Sequence, residues 1–380
     1  MKRAAGMIYL DNAATSWPKP SGVQAAVIGA LRTCANPGRS GHSLSLAAAD
    51  VIYKARENAA DFFGLDDPAR VVFAYNCTTA LNMVLKGLLK GGGRAVISSL
   101  EHNAVLRPLA SLSDKKIYDI ARVEADDDAT VANFRAAITP ATRALVCVHA
   151  SNVWGTVLPI EKLAALARTY RLPLVVDGAQ TGGVLPLSME HIDFLCLAGH
   201  KGLYGPMGVG LLLCGGAYAL PSFIEGGTGS ASRLARQPEE LPEHLESGTP
   251  NVAGICGVSA GLDFVHARGA DAIYTHELRL VQWLYERAAA HPRLKLYTPY
   301  PVKGKSAPVL SFNVDGMASE EMGAALAKRG AAVRCGLHCA PLAHEQFGTL
   351  ESGAIRVAPS AFTTEQEMRT FWGMVKRVAG

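Results

Sequence analysis

The amino-acid sequence predicts an α/β fold in which helices cover both faces of a mostly parallel sheet. Through the middle of the chain, short continuous runs of Val, Ile and Leu alternate with segments of helical periodicity. Continuous apolar runs are typical of strands buried on both faces, and the helices supply the crossovers that parallel strands need. In addition, polar residues directly follow several of these runs, as expected where a ligand binds at the carboxyl ends of parallel strands.

Strand-like runs and helical segments alternate regularly from residue 70 to residue 199. The predicted strands are RVVFAY (70–75), RAVISS (94–99), RALVCVHA (143–150), PLVVDG (173–178) and DFLCLAG (193–199). The predicted helices are TTALNMVLKGLL (78–89), HNAVLRPLASL (102–112) and PIEKLAALARTY (159–170).

After about residue 265 the pattern changes and predicts a smaller α+β domain. A long helical segment leads to three strand-like runs separated by helical stretches, PVLSFNV (308–314), AAVRCG (331–336) and AIRVAP (354–359). We therefore expect a large domain over residues 18–265 and a small C-terminal domain over residues 266–380, joined by an N-terminal segment at 1–17.

Composition and charge argue against several functional classes. Hydrophobic residues make up 49% and charged residues 18% of the 380 residues, as is typical of a folded enzyme. A formal net charge of +4 with scattered Lys and Arg gives no support for nucleic-acid binding. The N terminus lacks the apolar core of a signal peptide, and no run reaches about 18 apolar residues, so we expect a soluble, cytoplasmic protein without a membrane span.

Eight cysteines occur without a CxxC pair, so the sequence offers no cysteine-based metal site and we expect no metal. Cys335 and Cys339 lie four residues apart near the C terminus. The others are expected to be small, buried hydrophobic residues in a reducing compartment. They are Cys34, Cys77, Cys147, Cys196, Cys214 and Cys256.

A carboxylate and a lysine follow two successive strand-like runs. Asp177 ends the run PLVVD, and Lys201 follows DFLCLAGH. This arrangement suits pyridoxal phosphate, which needs a lysine for its Schiff base and an acid facing the pyridine nitrogen. A lysine in such a pocket can lose its proton and act as a nucleophile towards an aldehyde. Taken alone, Lys201 could instead be a surface charge and Asp177 a helix N-cap.

Three further segments could complete such a site. The turn NCTTALN (76–82) offers backbone N–H groups at a helix N terminus for a phosphate, with hydroxyls from Thr78 and Thr79, although simple helix capping is the alternative. Gln180 could hydrogen-bond a phenolic oxygen of the cofactor, or be an exposed loop amide. His102 could stack on the pyridine ring and move protons, or be an ordinary loop residue.

Eight motifs occur along the chain in a characteristic order. They are YLDNAATSWPKP (9–20), NPGRSGH (36–42), EHNA (101–104), SNVWGT (151–156), VDGAQ (176–180), AGHKGLYGP (198–206), ESGTPN (246–251) and VRCGLHCAP (333–341). Their order resembles the class V aminotransferase family and, within it, the cysteine desulfurases and selenocysteine lyases. VDGAQ and GHKxxYGP are the most specific motifs. The resemblance covers nearly the whole chain and implies a pyridoxal-phosphate enzyme of fold type I.

The resemblance also implies a role for each matching residue at the cofactor. Lys201 would bind it covalently. Asp177 would pair with the pyridine nitrogen, Gln180 would bind the phenolic oxygen, and His102 would stack on the ring.

The phosphate and the substrate would take a second group of residues. Contacts to the phosphate are implied for Cys77, Thr78, His200 and, from the partner subunit of a homodimer, Thr249. Because the bidentate fork of arginine suits a carboxylate, the substrate is assigned to Asn152, Arg334 and Arg356.

Cys339 distinguishes between the activities of this family. In a desulfurase, a loop cysteine attacks the substrate sulfur and keeps it as a persulfide, which requires a thiolate. Arg334 and His338 lie close in sequence, and both could lower the pKa of this thiol. The short RxGxxC arrangement from Arg334 to Cys339 resembles the SufS-like branch. The alternative is a structural cysteine.

Three positions depart from the family pattern. Ala198 stands where relatives often have a serine that touches the phosphate, and Gly202 lengthens the turn after the lysine. Cys335 stands where a threonine would be less surprising. It would be inert, or it would resolve a persulfide into a disulfide, and we favour the inert interpretation.

Together these residues predict a pyridoxal 5'-phosphate-dependent cysteine desulfurase that converts L-cysteine into L-alanine and keeps the sulfur on Cys339. Lys201 would be the base that removes the α-proton, assisted by His102. The expected partners are a second copy of the chain and a sulfur acceptor, either a protein or a small thiol. A selenocysteine lyase acting on L-selenocysteine is the nearest alternative, because selenium leaves more easily. A class V aminotransferase is another, but ordinary transamination should not need Cys339, and a regulatory cofactor-binding domain is a weaker one.

Overall fold

Residues 6–37 and 40–380 are described by the computed structural model. Gly38 and Arg39 of the NPGRSGH motif and residues 1–5 of the N-terminal segment lie outside the described residues. The helices are α1 (Ser21–Thr33), α2 (Ser43–Phe63), α3 (Cys77–Leu88), α4 (Asn103–Ser111), α5 (Asp127–Ala137), α6 (Ile160–Tyr170), α7 (Val252–Arg268), α8 (Ala270–Ala289), α9 (Ser319–Ala327), α10 (Pro341–Gln346) and α11 (Glu365–Ala379). Short 3₁₀ turns occur at Pro68–Arg70 and Met189–His191.

The strands of the described chain form sheets of seven, four and two strands. They are β1 (Ile8–Tyr9), β2 (Val71–Ala74), β3 (Arg94–Ser98), β4 (Tyr118–Ala121), β5 (Thr142–Val148), β6 (Leu174–Asp177), β7 (Phe194–Ala198), β8 (Gly210–Cys214), β9 (Leu294–Leu296), β10 (Leu310–Val314), β11 (Ala331–Ala332), β12 (Arg334–Gly336) and β13 (Ala354–Val357).

The largest sheet confirms the predicted α/β fold class. Its strand order is β2-β8-β7-β6-β5-β3-β4, and the neighbours from β7 to β4 are all parallel. β8 is antiparallel to both β2 and β7. The five strands predicted between residues 70 and 199 are present, whereas β4 and the antiparallel β8 were not predicted. The carboxyl ends of β3, β5, β6 and β7 consequently lie along one edge of the sheet.

The central strands are apolar throughout because both faces of the sheet are covered. Every residue of β2, β6, β7 and β8 is buried. Along β6, Leu174 and Val176 belong to one core cluster, with residues of α2, α6 and α7, whereas Val175 belongs to another, with residues of α3 and α4. Side chains that alternate between two helix-covered faces explain why the sequence shows continuous apolar runs.

The four-stranded sheet is antiparallel and has the order β12-β13-β10-β9. Residues of α8, α9 and α11 share one core cluster with it. The run at 331–336, which predicts a single strand, forms two strands instead. β11 pairs in parallel with β1, whereas β12 pairs with β13, so the chain changes partner at Val333.

The N-terminal segment contacts both sheets. β1 pairs with β11, Asp11 bridges to Ala358, and the backbone N–H of Ser16 donates to the carbonyl of His200 at 3.0 Å. The expected domain boundary after residue 265 falls near the end of α7 and stays a prediction. None of the described helices combines the length and the apolar character that a bilayer span requires.

Candidate active site

The carboxyl edge of the large sheet gathers the principal residues predicted for the site. Asp177 is the last residue of β6, Lys201 follows β7, and His102 follows β3. Because these strands are parallel, their ends meet, and the charges of Asp177 and Lys201 both act on His102. The arrangement brings a carboxylate, an amine and an imidazole together in one pocket.

Lys201 is held by a tight turn. The backbone N–H of Tyr204 donates to its carbonyl at 2.9 Å, and an ideal Cβ at Gly202 would stand 2.4 Å from the carbonyl oxygen of Gly182. The additional residue of this turn therefore packs its backbone directly against the segment after β6, and only glycine fits there. Burial lowers the pKa of Lys201, against the opposing influence of Asp177 and Cys77. The neutral amine, which is the nucleophilic form, is favoured.

His200 carries an unpaired ring nitrogen. Its carbonyl accepts hydrogen bonds from the side chains of Thr15 (3.1 Å), Ser16 (3.2 Å) and Lys19 (2.8 Å). Its Nδ1 is buried without a hydrogen-bond partner among the described residues. Burial, followed by the charges of Lys201 and Lys19, lowers the pKa of His200 to about 4. A buried polar atom without a partner calls for a ligand, since such groups are normally hydrogen-bonded.

Asp177 is 3% exposed and is held by two donors. The backbone N–H of Ala179 donates to its Oδ1 at 2.9 Å, and the Sγ of Cys77 lies 3.6 Å from the same oxygen. Gln180, three residues after Asp177, donates from Nε2 to the carbonyl of Ala13 at 3.0 Å. The amide of Gln180 is thus linked to the N-terminal segment.

The first turn of α3 provides backbone N–H groups beside this edge. Asn76 caps the helix by accepting from the backbone N–H of Thr79 at 2.8 Å and from its hydroxyl at 3.1 Å. Thr78 is exposed. An ideal Cβ at Gly210 of β8 would stand 2.3 Å from the carbonyl carbon of Asn76 and 2.6 Å from the nitrogen of Cys77. The absence of a side chain at position 210 lets the helix N terminus, a favourable place for an anion, lie directly on β8.

His102 is the N-cap of α4 and stays uncharged. Its Nδ1 accepts a hydrogen bond from the backbone N–H of Ala104 at 3.0 Å, which leaves Nε2 as the protonated nitrogen. Burial lowers the pKa of His102 to about 4, although the carboxylate of Asp177 opposes this shift. The capping contact fixes the orientation of the ring.

Cys339 belongs to a loop that the large domain holds in place. His338 and Cys339 both have left-handed backbone conformations, with φ of 51° and 57°. The carbonyl of Cys339 accepts from the backbone N–H of Asn103 at 2.7 Å, and the carbonyl of His338 accepts from Nδ2 of Asn152 at 2.8 Å. Two strained residues in succession cost of order 1–3 kcal/mol each, so these contacts have to stabilise the loop conformation. They place Cys339 next to His102.

Arg334 and His338 differ in what they bring to Cys339. The Nη2 of Arg334 lies 4.0 Å from Sγ. His338 stacks on His344, and burial lowers the pKa of His338 to about 3, so its ring is neutral at physiological pH. The expectation that His338 supplies a positive charge to the thiol is therefore wrong, because an imidazole this deeply buried cannot keep its second proton.

Cys335 points away from this loop. It lies on β12 between Arg334 and Gly336, and a Cβ added at Gly323 of α9 would stand 2.2 Å from its Sγ. Neighbouring strand residues point to opposite faces, so Cys335 faces α9 while Arg334 faces Cys339. Burial, followed by the charge of Glu320, raises the pKa of Cys335 to about 11. Both observations support the inert interpretation.

Arg356 is 2% exposed and forms an ion pair that was not predicted. Its Nη2 lies 2.8 Å from Oδ1 of Asp11, and its Nη1 donates to the carbonyl of Asn152 at 3.0 Å. Its Nε and the Oδ1 of Asn152 are buried without partners among the residues that the structure describes. Asp11 is part of the YLDNAATSWPKP motif, but nothing in that motif announces its partner 345 positions away.

Two predicted positions remain apart from this cluster or add nothing to it. Thr249 is exposed and lines a cleft of about 650 Å³ that also includes Thr79. Ala198 is buried at the end of β7. No group of three or more His, Cys, Asp or Glu side chains suited to a metal ion occurs within residues 6–37 and 40–380.

Comparison with known proteins identifies relatives along the whole chain. The family model Aminotransferase class-V matches residues 8–371. A probable cysteine desulfurase from Synechocystis sp. is 30% identical, with 96% of this chain and 89% of that protein covered. A cysteine desulfurase from Salmonella choleraesuis is also 30% identical, with 95% of this chain and 91% of that protein covered.

Solved structures agree with the sequence comparison. An apo structure of the cysteine desulfurase from Thermococcus onnurineus NA1 matches with a TM-score of 0.88 at 30% identity, covering 98% of this chain and 94% of that chain. The cysteine desulfurase CsdA from Escherichia coli matches with a TM-score of 0.86 at 26% identity, covering 98% and 94%. On the family match and the shared fold, the chain belongs to the class-V aminotransferase family.

Proposed function

We propose that this protein is a cysteine desulfurase that uses pyridoxal 5'-phosphate, converts L-cysteine into L-alanine and keeps the sulfur on Cys339. The position of Cys339 carries the proposal, because its loop is fixed beside His102 and its Sγ lies 4.0 Å from Arg334. A transaminase has no need of a thiol at this place. The relatives that are named cysteine desulfurases support the same activity.

Several features of the pocket fit the cofactor. Lys201 is favoured as the neutral amine, and Asp177 is buried at the end of β6. The unpaired Nδ1 of His200 and the free N terminus of α3 suit the phosphate, with Thr78 at its first turn. When bound, pyridoxal phosphate supplies an electron-withdrawing ring that makes the α-proton of the substrate acidic.

The protein supplies proton transfer and substrate binding. In our proposal Lys201 accepts the α-proton of the substrate, which its lowered pKa permits. His102, neutral over the physiological range, stacks on the ring and assists. Arg356 has a buried Nε without a partner, so it can donate a hydrogen bond to the substrate carboxylate beside Asn152 and Arg334.

Sulfur transfer is assigned to the Cys339 loop. The Sγ of Cys339 forms a bond to the substrate sulfur while the carbon–sulfur bond of the substrate breaks. The sulfur remains as a persulfide, and the carbon skeleton leaves as alanine. Arg334 places a positive charge beside the sulfur that has to attack as a thiolate. A small thiol or an acceptor protein then takes the outer sulfur.

We also propose that the protein acts as a homodimer in which Thr249 reaches the phosphate of the partner subunit. Thr249 is exposed on a cleft that contains Thr79 from the first turn of α3. Large exposed apolar side chains near this face, Ile28, Leu31, Tyr53 and Tyr75, support burial against a second copy. Light scattering should give the dimer mass, and Thr249→Ala should weaken cofactor binding without changing that mass. A monomer that binds the cofactor fully would contradict the proposal.

The decisive experiment measures alanine release from L-cysteine by wild type, Cys339→Ala and the matched control Cys335→Ala. Cys339→Ala should abolish release while keeping the absorption band of the bound cofactor, and Cys335→Ala should retain release because its thiol faces α9. Desulfuration that persists in Cys339→Ala would refute the assigned role.

Selenocysteine separates the nearest alternative. If Cys339→Ala loses alanine release equally from L-cysteine and L-selenocysteine, both substrates use the same thiol and desulfurase chemistry is favoured. Loss on cysteine alone favours a selenocysteine lyase. Product formation that requires a 2-oxo acid as amino acceptor indicates an aminotransferase instead.

A further inference from the structure

The thiol of Cys77 lies against the carboxylate of Asp177. Cys77 is the first residue of α3, is 8% exposed, and its Sγ lies 3.6 Å from Oδ1 of Asp177. Burial, followed by the charge of Asp177, raises the pKa of Cys77 well above its ordinary value. The thiol therefore keeps its proton, and the carboxylate oxygen is the acceptor.

Both hydrogen bonds that the described residues make to this carboxylate end on Oδ1. The backbone N–H of Ala179 donates from one direction at 2.9 Å, and the thiol of Cys77 lies on the same oxygen. Two donors on one oxygen fix the rotation of the carboxylate about its terminal bond. Oδ2 of Asp177 is then the oxygen that remains for a third partner.

The backbone of Cys77 has no freedom to move away from this contact. A side chain at Gly210 would meet the backbone of Asn76 and Cys77 at 2.3 and 2.6 Å, which shows how closely β8 supports the start of α3. The capping contact from Asn76 to Thr79, 2.8 Å long, fixes the same turn. The first turn of α3 therefore holds two things at once, the N–H groups that suit a phosphate and the thiol that faces Asp177.

We propose that Cys77 is a positioning residue that donates its S–H to Asp177 and orients this carboxylate for the pyridine nitrogen of the cofactor. The inference rests on the proposed function, since the orientation matters only if the cofactor ring faces Asp177. It also alters the role expected for Cys77 at the phosphate. With its side chain directed at Asp177, Cys77 contributes to phosphate binding through its backbone N–H alone.

Two variants separate hydrogen bonding from packing. Cys77→Ala removes the donor, whereas Cys77→Ser replaces it with a hydroxyl. A matched control is Cys214→Ala, because Cys214 is also buried in the same core cluster but lies on β8. All three changes remove one sulfur atom from the core, so a loss through packing alone should be similar in each.

Two measurements are made on these variants, and the first needs no cofactor. The infrared S–H stretching band of the apo-protein, obtained as the difference between wild type and Cys77→Ala, should fall at the lower frequency of a hydrogen-bonded thiol. The second is the dissociation constant for pyridoxal phosphate. It should rise about fivefold in Cys77→Ala, as the loss of one ordinary hydrogen bond predicts, and return to within about twofold of wild type in Cys77→Ser. Cys214→Ala should leave it unchanged.

A band at the frequency of a free thiol, or equal dissociation constants for wild type and Cys77→Ala, would overturn the proposal. Equal losses in Cys77→Ala and Cys214→Ala would do the same, because they would indicate packing. Alanine release by the wild-type protein is measured in parallel. If wild type lacks this activity but shows the hydrogen-bonded band and the fivefold effect, the desulfurase proposal fails and the role of Cys77 stands.

Discussion

Replacing Gly210 with alanine tests whether the start of α3 must lie directly on β8. The added Cβ would stand 2.3 Å from the carbonyl carbon of Asn76 and 2.6 Å from the nitrogen of Cys77. Because both are backbone atoms, no side-chain rotation relieves the clash. Non-bonded carbon atoms prefer a separation of about 3.5 Å, so the first turn of the helix has to move by roughly 1 Å.

This displacement has two measurable costs. Forcing an extra carbon into a packed interior typically costs about 1–3 kcal/mol of the free energy of unfolding. The shifted N–H groups should also lose at least one charge-assisted hydrogen bond to the cofactor phosphate, which raises its dissociation constant by about tenfold. Urea unfolding of the apo-protein measures the first effect, and titration with pyridoxal phosphate, followed by absorbance, measures the second.

The control is Gly373→Ala in the interior of α11. The nearest atom to a Cβ there is Nη2 of Arg377 at 4.0 Å, so the methyl group meets no obstacle. Alanine should stabilise this helix by about 0.5–1 kcal/mol and leave cofactor affinity unchanged. If Gly210→Ala binds pyridoxal phosphate as tightly as wild type, then the contact with β8 does not position the phosphate site, and the reasoning is refuted.

Two further predictions concern buried charges. Asp11→Asn should cost about 3 kcal/mol in urea unfolding, because it leaves the buried guanidinium of Arg356 without the carboxylate 2.8 Å away. Glu365→Gln breaks an exposed pair with Arg279 and should cost less than about 1 kcal/mol, so equal losses would contradict this interpretation. Burial raises the pKa of Glu277 from 4.5 to about 8, so between these values the folded protein holds a proton that the unfolded chain releases. Stability therefore falls as the pH rises through this window, by about 1.4 kcal/mol per pH unit from this group. Glu277→Gln should remove that contribution, and a difference in unfolding free energy between wild type and variant that is the same at pH 6 and pH 8 would refute the assignment.

Residues at strand ends could be placed from the sequence alone. Asp177 and Lys201 follow continuous apolar runs, and parallel strands bring their carboxyl ends to one edge. The same argument placed His102 after β3. Direction, however, cannot be inferred from an apolar run, so the sequence gave no sign that the strand at Gly210–Cys214 is antiparallel.

The remaining features depend on contacts that are distant in sequence. Cys339 reaches the site through two left-handed residues and a hydrogen bond to Asn103, and no local pattern specifies such a loop. The neutral state of His338 follows from its burial against His344 and not from its neighbours along the chain. The contact between Cys77 and Asp177 likewise requires knowing that α3 begins opposite the end of β6.

The N-terminal segment has a consequence for how the protein is made. β1 pairs with β11, and Asp11 forms its ion pair with Arg356, 345 positions along the chain. Neither contact can form until the ribosome has synthesised nearly the whole protein. Closing so large a loop is slow, because its entropy must be overcome before the contacts stabilise it. During translation the nascent large domain consequently has an incomplete pocket, and the finished pocket arises only after the polypeptide is released.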